Sequence, residues 1–125
     1  MEGKMEELFL SDSEYRLMDI IWANAPLESG KLVKLAEEKL SWKKSTTYTI
    51  LRKLITKGMA LNEDTVVKVI IERDRVQRFE SSRVVKRNFG GSLPSFITAF
   101  LGDKTLSGSE ADELIELIDS YRDDK

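Results

Sequence analysis

Apolar residues recur along this chain at spacings that change from segment to segment, and the changes mark out its elements. Tyr15, Met18, Ile21 and Trp22 fall on one helical face. Ser11 and Glu14 precede them at the spacing of a capping box, so the first helix should start at Ser11, and Pro26 closes that segment. A second helix is predicted from about Ser29 to Leu40, with Leu32, Leu35 and Ala36 inward and Lys31, Lys34, Glu37 and Glu38 outward. A third runs from about Lys44 to Lys57. There Thr47, Ile50, Leu51 and Leu54 follow i, i+3, i+4, i+7, and Gly58 is suited to end the helix because it takes a left-handed conformation freely. The period then shortens. Met59-Ala60-Leu61 and residues 66–71 read as two strands joined by a turn at Asn62-Glu63-Asp64-Thr65.

Helical spacing returns at 72–89, where Val76, Phe79, Ser82, Val85 and Phe89 roughly align before Gly90-Gly91 breaks the run. Ser92 and Pro94 suit the start of a short helix, 93–101, that is apolar on nearly all sides and stops at Gly102. Ser107 and Glu110 form a second capping-box pair ahead of a last helix striped by Ala111, Leu114, Ile115, Ile118 and Tyr121. Three helices and a hairpin in about 70 residues is the order of a winged helix-turn-helix. The predicted fold is therefore mainly α with a small β component (α+β): a winged helix-turn-helix at 1–71 and a C-terminal helical dimerisation tail at 72–125.

Composition narrows the chemistry. The 125 residues contain no Cys and no His, which excludes disulfides, thiol catalysis, Ser-His-Asp chemistry and Cys- or His-ligated metals. No cofactor, metal site or small-molecule ligand is expected, and no enzymatic activity. The acids Glu110, Asp112, Glu113 and Glu116 could be imagined as a carboxylate site, but acids early in a helix complement its dipole on a solvated face. No apolar run approaches the roughly 18 residues of a spanning helix, and Met1 to Leu8 is polar and acidic. The expectation is a cytoplasmic protein with no membrane insertion.

The net charge of −2 argues against a nucleic-acid binder, but the distribution of charge argues for one. No acid lies between Glu38 and Glu63, whereas Lys39, Lys43, Lys44, Arg52, Lys53 and Lys57 do. From Asp103 to Asp124 eight acids face only Lys104 and Arg122. Phosphates respond to the local field. The polar face of the third helix mixes small hydroxyl residues, suited to base edges, with cations suited to phosphates. The candidate DNA-binding residues are Lys43, Lys44, Ser45, Thr46, Tyr48, Thr49, Arg52 and Lys53. The same basic face could instead bind an acidic protein partner, which would make the chain a winged-helix interaction module. For the tail, Val76, Phe79, Phe89, Leu93, Phe96, Ile97, Phe100, Leu101, Leu114, Ile115 and Ile118 are candidate dimerisation residues, because apolar surface on this scale commonly marks an interface. Packing of the tail back onto the winged helix is the alternative.

Four segments carry a family resemblance: Leu10 to Trp22 (LSDSEYRLMDIIW), Trp42 to Gly58 (WKKSTTYTILRKLITKG), Gly90 to Phe100 (GGSLPSFITAF) and 106–119 (LSGSEADELIELID). In this order they resemble the penicillinase and methicillin-resistance repressor family, which also includes copper-responsive repressors. The resemblance implies a winged-helix homodimer with intertwined tails on double-stranded operator DNA, bound as an inverted repeat with TACA/TGTA half-sites. It puts the base and phosphate contacts on Ser45, Thr46, Thr49 and Lys53, with Lys43 and Lys44 at the helix entrance. It also implies a membrane-sensor protease as a partner, cutting before a Phe of the short apolar helix; the matching bond here is Ala99–Phe100, with Ala99 where well-known targets have Asn. Two departures stand out. The wing offers only Lys68 among Val and Ile, and the Cys cluster of the copper-sensing members is missing.

Overall fold

The structure is a computed structural model that describes residues 8–123. Helices α1 (Asp12–Asn24), α2 (Ser29–Leu40) and α3 (Lys44–Thr56) come first, with a two-residue strand β1 (Leu27–Glu28) between α1 and α2. Strands β2 (Ala60–Glu63) and β3 (Val66–Val69) follow, then α4 (Arg73–Asn88), α5 (Leu93–Leu101) and α6 (Gly108–Ser120). The three strands form one antiparallel sheet in the order β1-β3-β2. Helices, a small sheet and a hairpin in this order make the predicted mainly α winged helix-turn-helix.

Each helix starts and stops for a legible reason. The Ser11 hydroxyl accepts the Glu14 N–H at 3.3 Å, and the Glu14 carboxylate accepts the Ser11 N–H at 2.8 Å, so both halves of the first capping box are made. At the end of α3, Gly58 has φ +77°; its N–H donates to the Ile55 carbonyl and the Met59 N–H to that of Leu54, a Schellman closure. The second capping box is made in its hydroxyl half, with Ser107 accepting the Glu110 N–H at 3.1 Å.

The hairpin differs from the sequence expectation at both ends. Its turn is two residues long: Glu63 pairs with Val66, and Asp64 and Thr65 between them have φ +52° and +66°. Positive φ at both central positions suits the right-handed twist of a tight hairpin. β3 stops at Val69 because the N–H groups of Ile70 and Ile71 converge on the single Met59 carbonyl, at 2.9 and 3.2 Å, and the chain turns off the ladder. β1, which no alternation predicted, adds Leu27 opposite Val67, both buried. The Thr65 carbonyl accepts the Ser29 N–H at 2.8 Å, tying the hairpin turn to the start of α2. A β-branched residue with left-handed φ is strained. Replacing Thr65 by Gly gives the turn its favoured Asp-Gly pair and is expected to raise stability by about 1 kcal/mol, read as a higher thermal midpoint.

By packing, the chain divides into two units, one ending at Val84 and the other beginning at Val85. The first has a core of Leu17, Met18, Ile21, Leu32, Leu51, Leu54, Met59, Val67 and Val76, all nearly or wholly shut off from solvent. Val76 was a candidate for the dimer interface. It is fully buried in this core and has no surface to offer a partner. In the second unit no described side chain is buried. Its helix α5 is apolar along most of its length and capped by Ser92, whereas α6 mixes apolar residues with five acids; Phe96 meets Phe89 edge to face at 5.4 Å and stacks on Phe100 at 6.1 Å.

Candidate nucleic-acid interface

The helix α3 is anchored by one face and presents the other. Thr47, Ile50, Leu51 and Leu54 are buried, as their spacing predicts. Thr47 is polar yet fits, because its hydroxyl donates to the Lys43 carbonyl at 3.3 Å. With that stripe fixed, Ser45, Thr46, Thr49, Arg52 and Lys53 are all exposed on the remaining surface, and Lys43 and Lys44 are exposed at its N-terminal end. Seven of the eight candidate residues thus share one open surface. Tyr48 stands apart: its ring is half-buried against the core, and its hydroxyl donates to Ser29 Oγ at 3.3 Å, bracing α3 against α2.

The N-terminus of α3 is poorly built for an isolated helix. Its N-cap is Lys43, with no side-chain cap, and no acid lies in the first turn. Lysines at 43 and 44 put positive charge where the helix dipole is already positive. Ser, Asp or Asn at such a cap commonly adds about 1 kcal/mol. An anion supplied from outside would accept the free N–H groups and neutralise both lysines at once.

Lys57 belongs to the same acid-free window but works elsewhere. Its ammonium donates to the Glu14 carboxylate at 2.6 Å and to the Phe9 carbonyl at 2.9 Å, so it closes the end of α3 onto the start of α1. Burial disfavours the Glu14 charge, but the Lys57 hydrogen bond, the Ser11 N–H and the Lys57 charge outweigh it and hold the carboxyl below the usual carboxylate range. The sequence marked Glu14 as a cap and Lys57 as one of several cations; their pairing across 43 residues had no local signal.

The wing carries little positive field. Lys68 is paired with Glu63 at 2.8 Å, both exposed, and its neighbours are apolar. That pair holds the Glu63 carboxyl below its ordinary value through the Lys68 hydrogen bond first and its charge second.

A family model described as penicillinase repressor matches residues 10–120. The chain belongs to the penicillinase repressor family. It is also similar to the penicillinase repressor of Bacillus licheniformis, with 29% identity over 122 residues that cover 93% of this chain and 94% of that protein. Family membership makes the chain a transcriptional repressor by class, as the four quoted segments implied, and the matched span takes in both units.

In this repressor-family chain the tail candidates other than Val76 lie as follows. Leu93, Ile97 and Phe100 of α5 are exposed, Phe100 by 61%. Phe96 and Leu101 are half-buried within the second unit, as is Phe89, and Phe79 is half-buried against the core of the first. On α6, Leu114, Ile115 and Ile118 are exposed, and so are Leu117, which the stripe had not included, and Tyr121 just beyond the helix. Ala99 is exposed beside Phe100. Among the described residues no helix is long and apolar enough to cross a membrane, and no acidic group could hold a metal.

Proposed function

We propose that this chain is a sequence-specific operator-binding repressor, acting as a homodimer on inverted-repeat DNA. The observation that carries the reading is the start of α3: an uncapped, doubly lysine-flanked helix end beside an open row of Ser45, Thr46, Thr49, Arg52 and Lys53. Phosphate would supply the missing cap, and the row behind it has hydroxyls of the reach that base edges require. The exposed apolar faces of α5 and α6 support the dimer, since a second copy would cover them and place two α3 helices on the two half-sites. Cleavage at Ala99–Phe100, a bond between two exposed residues, is the proposed route by which repression ends.

Titration of a labelled operator duplex at several salt concentrations tests the reading. Binding to duplex DNA should weaken steeply with salt as counterions are released. Thr49→Ala is expected to lose about 1–3 kcal/mol of discrimination between operator variants. Lys53→Ala is expected to weaken binding to every sequence and to flatten the salt slope by about 1. Equal losses from both variants on operator and random DNA would reverse the assigned roles. Absence of duplex binding, with retention of an acidic protein partner, would favour the interaction-module alternative.

A further inference from the structure

The hairpin turn is tied to α3 through one residue of α2. The Tyr48 hydroxyl of α3 donates to Ser29 Oγ at 3.3 Å, and the Ser29 N–H donates to the Thr65 carbonyl in the turn at 2.8 Å. Tyr48 is followed directly by Thr49, and Arg52 lies one helical turn on; both are exposed members of the row proposed to meet DNA. Glu63 and Asp64 sit within two residues of the tethered Thr65. The wing therefore stands next to the candidate interface, and its charge has the wrong sign for phosphate.

One rung of the sheet carries two carboxylates. Val66 of β3 pairs with Glu28 of β1 on one side and with Glu63 of β2 on the other, and residues paired in this way send their side chains to the same face. The opposite face is the buried one, through Leu27 and Val67. Glu28, Glu63 and Asp64 are all exposed, and Lys68 is the one cation on the three strands and the turn. Lys68 stands two residues along β3 from Val66, on the same open face, and reaches diagonally to the Glu63 carboxylate at 2.8 Å. Glu28 and Asp64 make no ion pair among the described residues.

We infer that Glu63 limits the affinity of the chain for DNA: its carboxylate holds Lys68 on the wing and so keeps the wing from gripping phosphate. The inference rests on the DNA-binding reading proposed above. An exposed ion pair is weak by itself, so the acids around it matter. If Lys68 left Glu63 for a phosphate, then Glu28, Glu63 and Asp64 would all stand uncompensated beside the DNA backbone, within the range at which salt leaves charges unscreened. Neutralising Glu63 is the better use of the lysine. A phosphate contact carries no sequence information, so a silent wing weakens binding to every duplex alike and leaves discrimination to the hydroxyl row of α3.

The test is a double-mutant cycle in full-length chains, read as affinity for operator and random duplexes over a range of salt. Both positions are exposed, and circular dichroism verifies that each variant keeps its fold. Glu63→Gln keeps the backbone pairing with Val66 but frees Lys68. It is expected to tighten binding to both duplexes by about three- to tenfold at low salt and to steepen the salt slope by about 1, with the operator-to-random ratio unchanged. Lys68→Gln alone should change affinity by less than about twofold, because its ammonium meets no phosphate in the wild type. The double variant should bind close to the wild type, so that the gain from Glu63→Gln exists only while Lys68 is present. Wild-type affinity in Glu63→Gln would overturn the inference, as would a gain that survives in the double variant. A loss in Lys68→Gln as large as the gain in Glu63→Gln would also overturn it, because net charge alone would then account for both. A gain confined to the operator would overturn it too, by placing Lys68 on a base. A wild-type chain that binds no duplex at any salt concentration would instead remove the DNA-binding reading itself.

Discussion

A chain ending at Ala99 is expected to bind a palindromic operator about two to four orders of magnitude more weakly than the full chain, although every residue of α3 and the wing is untouched. The truncation removes Phe100 and Leu101 from α5 and all of α6, including Ile115 and Ile118, each 62% exposed in the isolated chain. Those groups are the proposed cover of a second copy. Without them, two separate winged helices must find two half-sites independently, and the linkage that makes the second binding event intramolecular is lost. Affinity for a single half-site should stay nearly constant. Fluorescence anisotropy on full and half operators separates the two terms, and light scattering follows the mass of both chains. Full operator affinity in the truncated chain would defeat the dimer-dependent account of repression and its proposed release by cleavage.

The second large effect concerns the latch between α1 and α3. Lys57→Met leaves Glu14, whose side chain is 4% exposed, with the Ser11 N–H but no cation, and is expected to cost about 2–3 kcal/mol. This lies at or below the bottom of the roughly 3–5 kcal/mol of a fully buried pair, because Lys57 is itself 30% exposed. Adding Glu14→Gln should recover much of the loss by removing the stranded charge. The pH dependence has a defined sign. The Glu14 carboxyl titrates below its ordinary value in the folded protein, so its contribution is fully present above the unfolded carboxylate value of about 4.3. It disappears as pH falls through the lower folded value. Urea midpoints at pH 7 and pH 3 should therefore show a larger acid loss in the wild type than in Glu14→Gln. Equal losses would mean that the pair contributes nothing to acid sensitivity.

Local rules made much of the first unit legible. Ser11 and Glu14 announced a helix start because a capping box needs only four consecutive residues. The spacing of Thr47, Ile50, Leu51 and Leu54 named the buried face of α3, and by subtraction its open one, because a helix repeats every 3.6 residues whatever packs against it. Gly58 marked the end of α3 for the same kind of reason, since its left-handed φ is a property of one residue. The candidate interface inherits this legibility: Ser45, Thr46, Thr49, Arg52 and Lys53 are exposed because their neighbours are buried.

What the tertiary structure decided was partnership. Strand β1 exists only because β3 lies beside it; two residues have no alternation to read. Tyr48 was indistinguishable from its hydroxyl-bearing neighbours until Ser29 appeared opposite it. Lys57 counted as one more cation until the fold brought Glu14 to 2.6 Å. On α4 the apolar stripe predicted one face, but the boundary between the two units falls inside that helix, and Val76 belongs to the first core while Val85 and Phe89 lie in the second unit. A period along one helix fixes which side chains point the same way. It carries no information about which surface each of them meets, because that depends on segments far away in the chain and brought near only by folding.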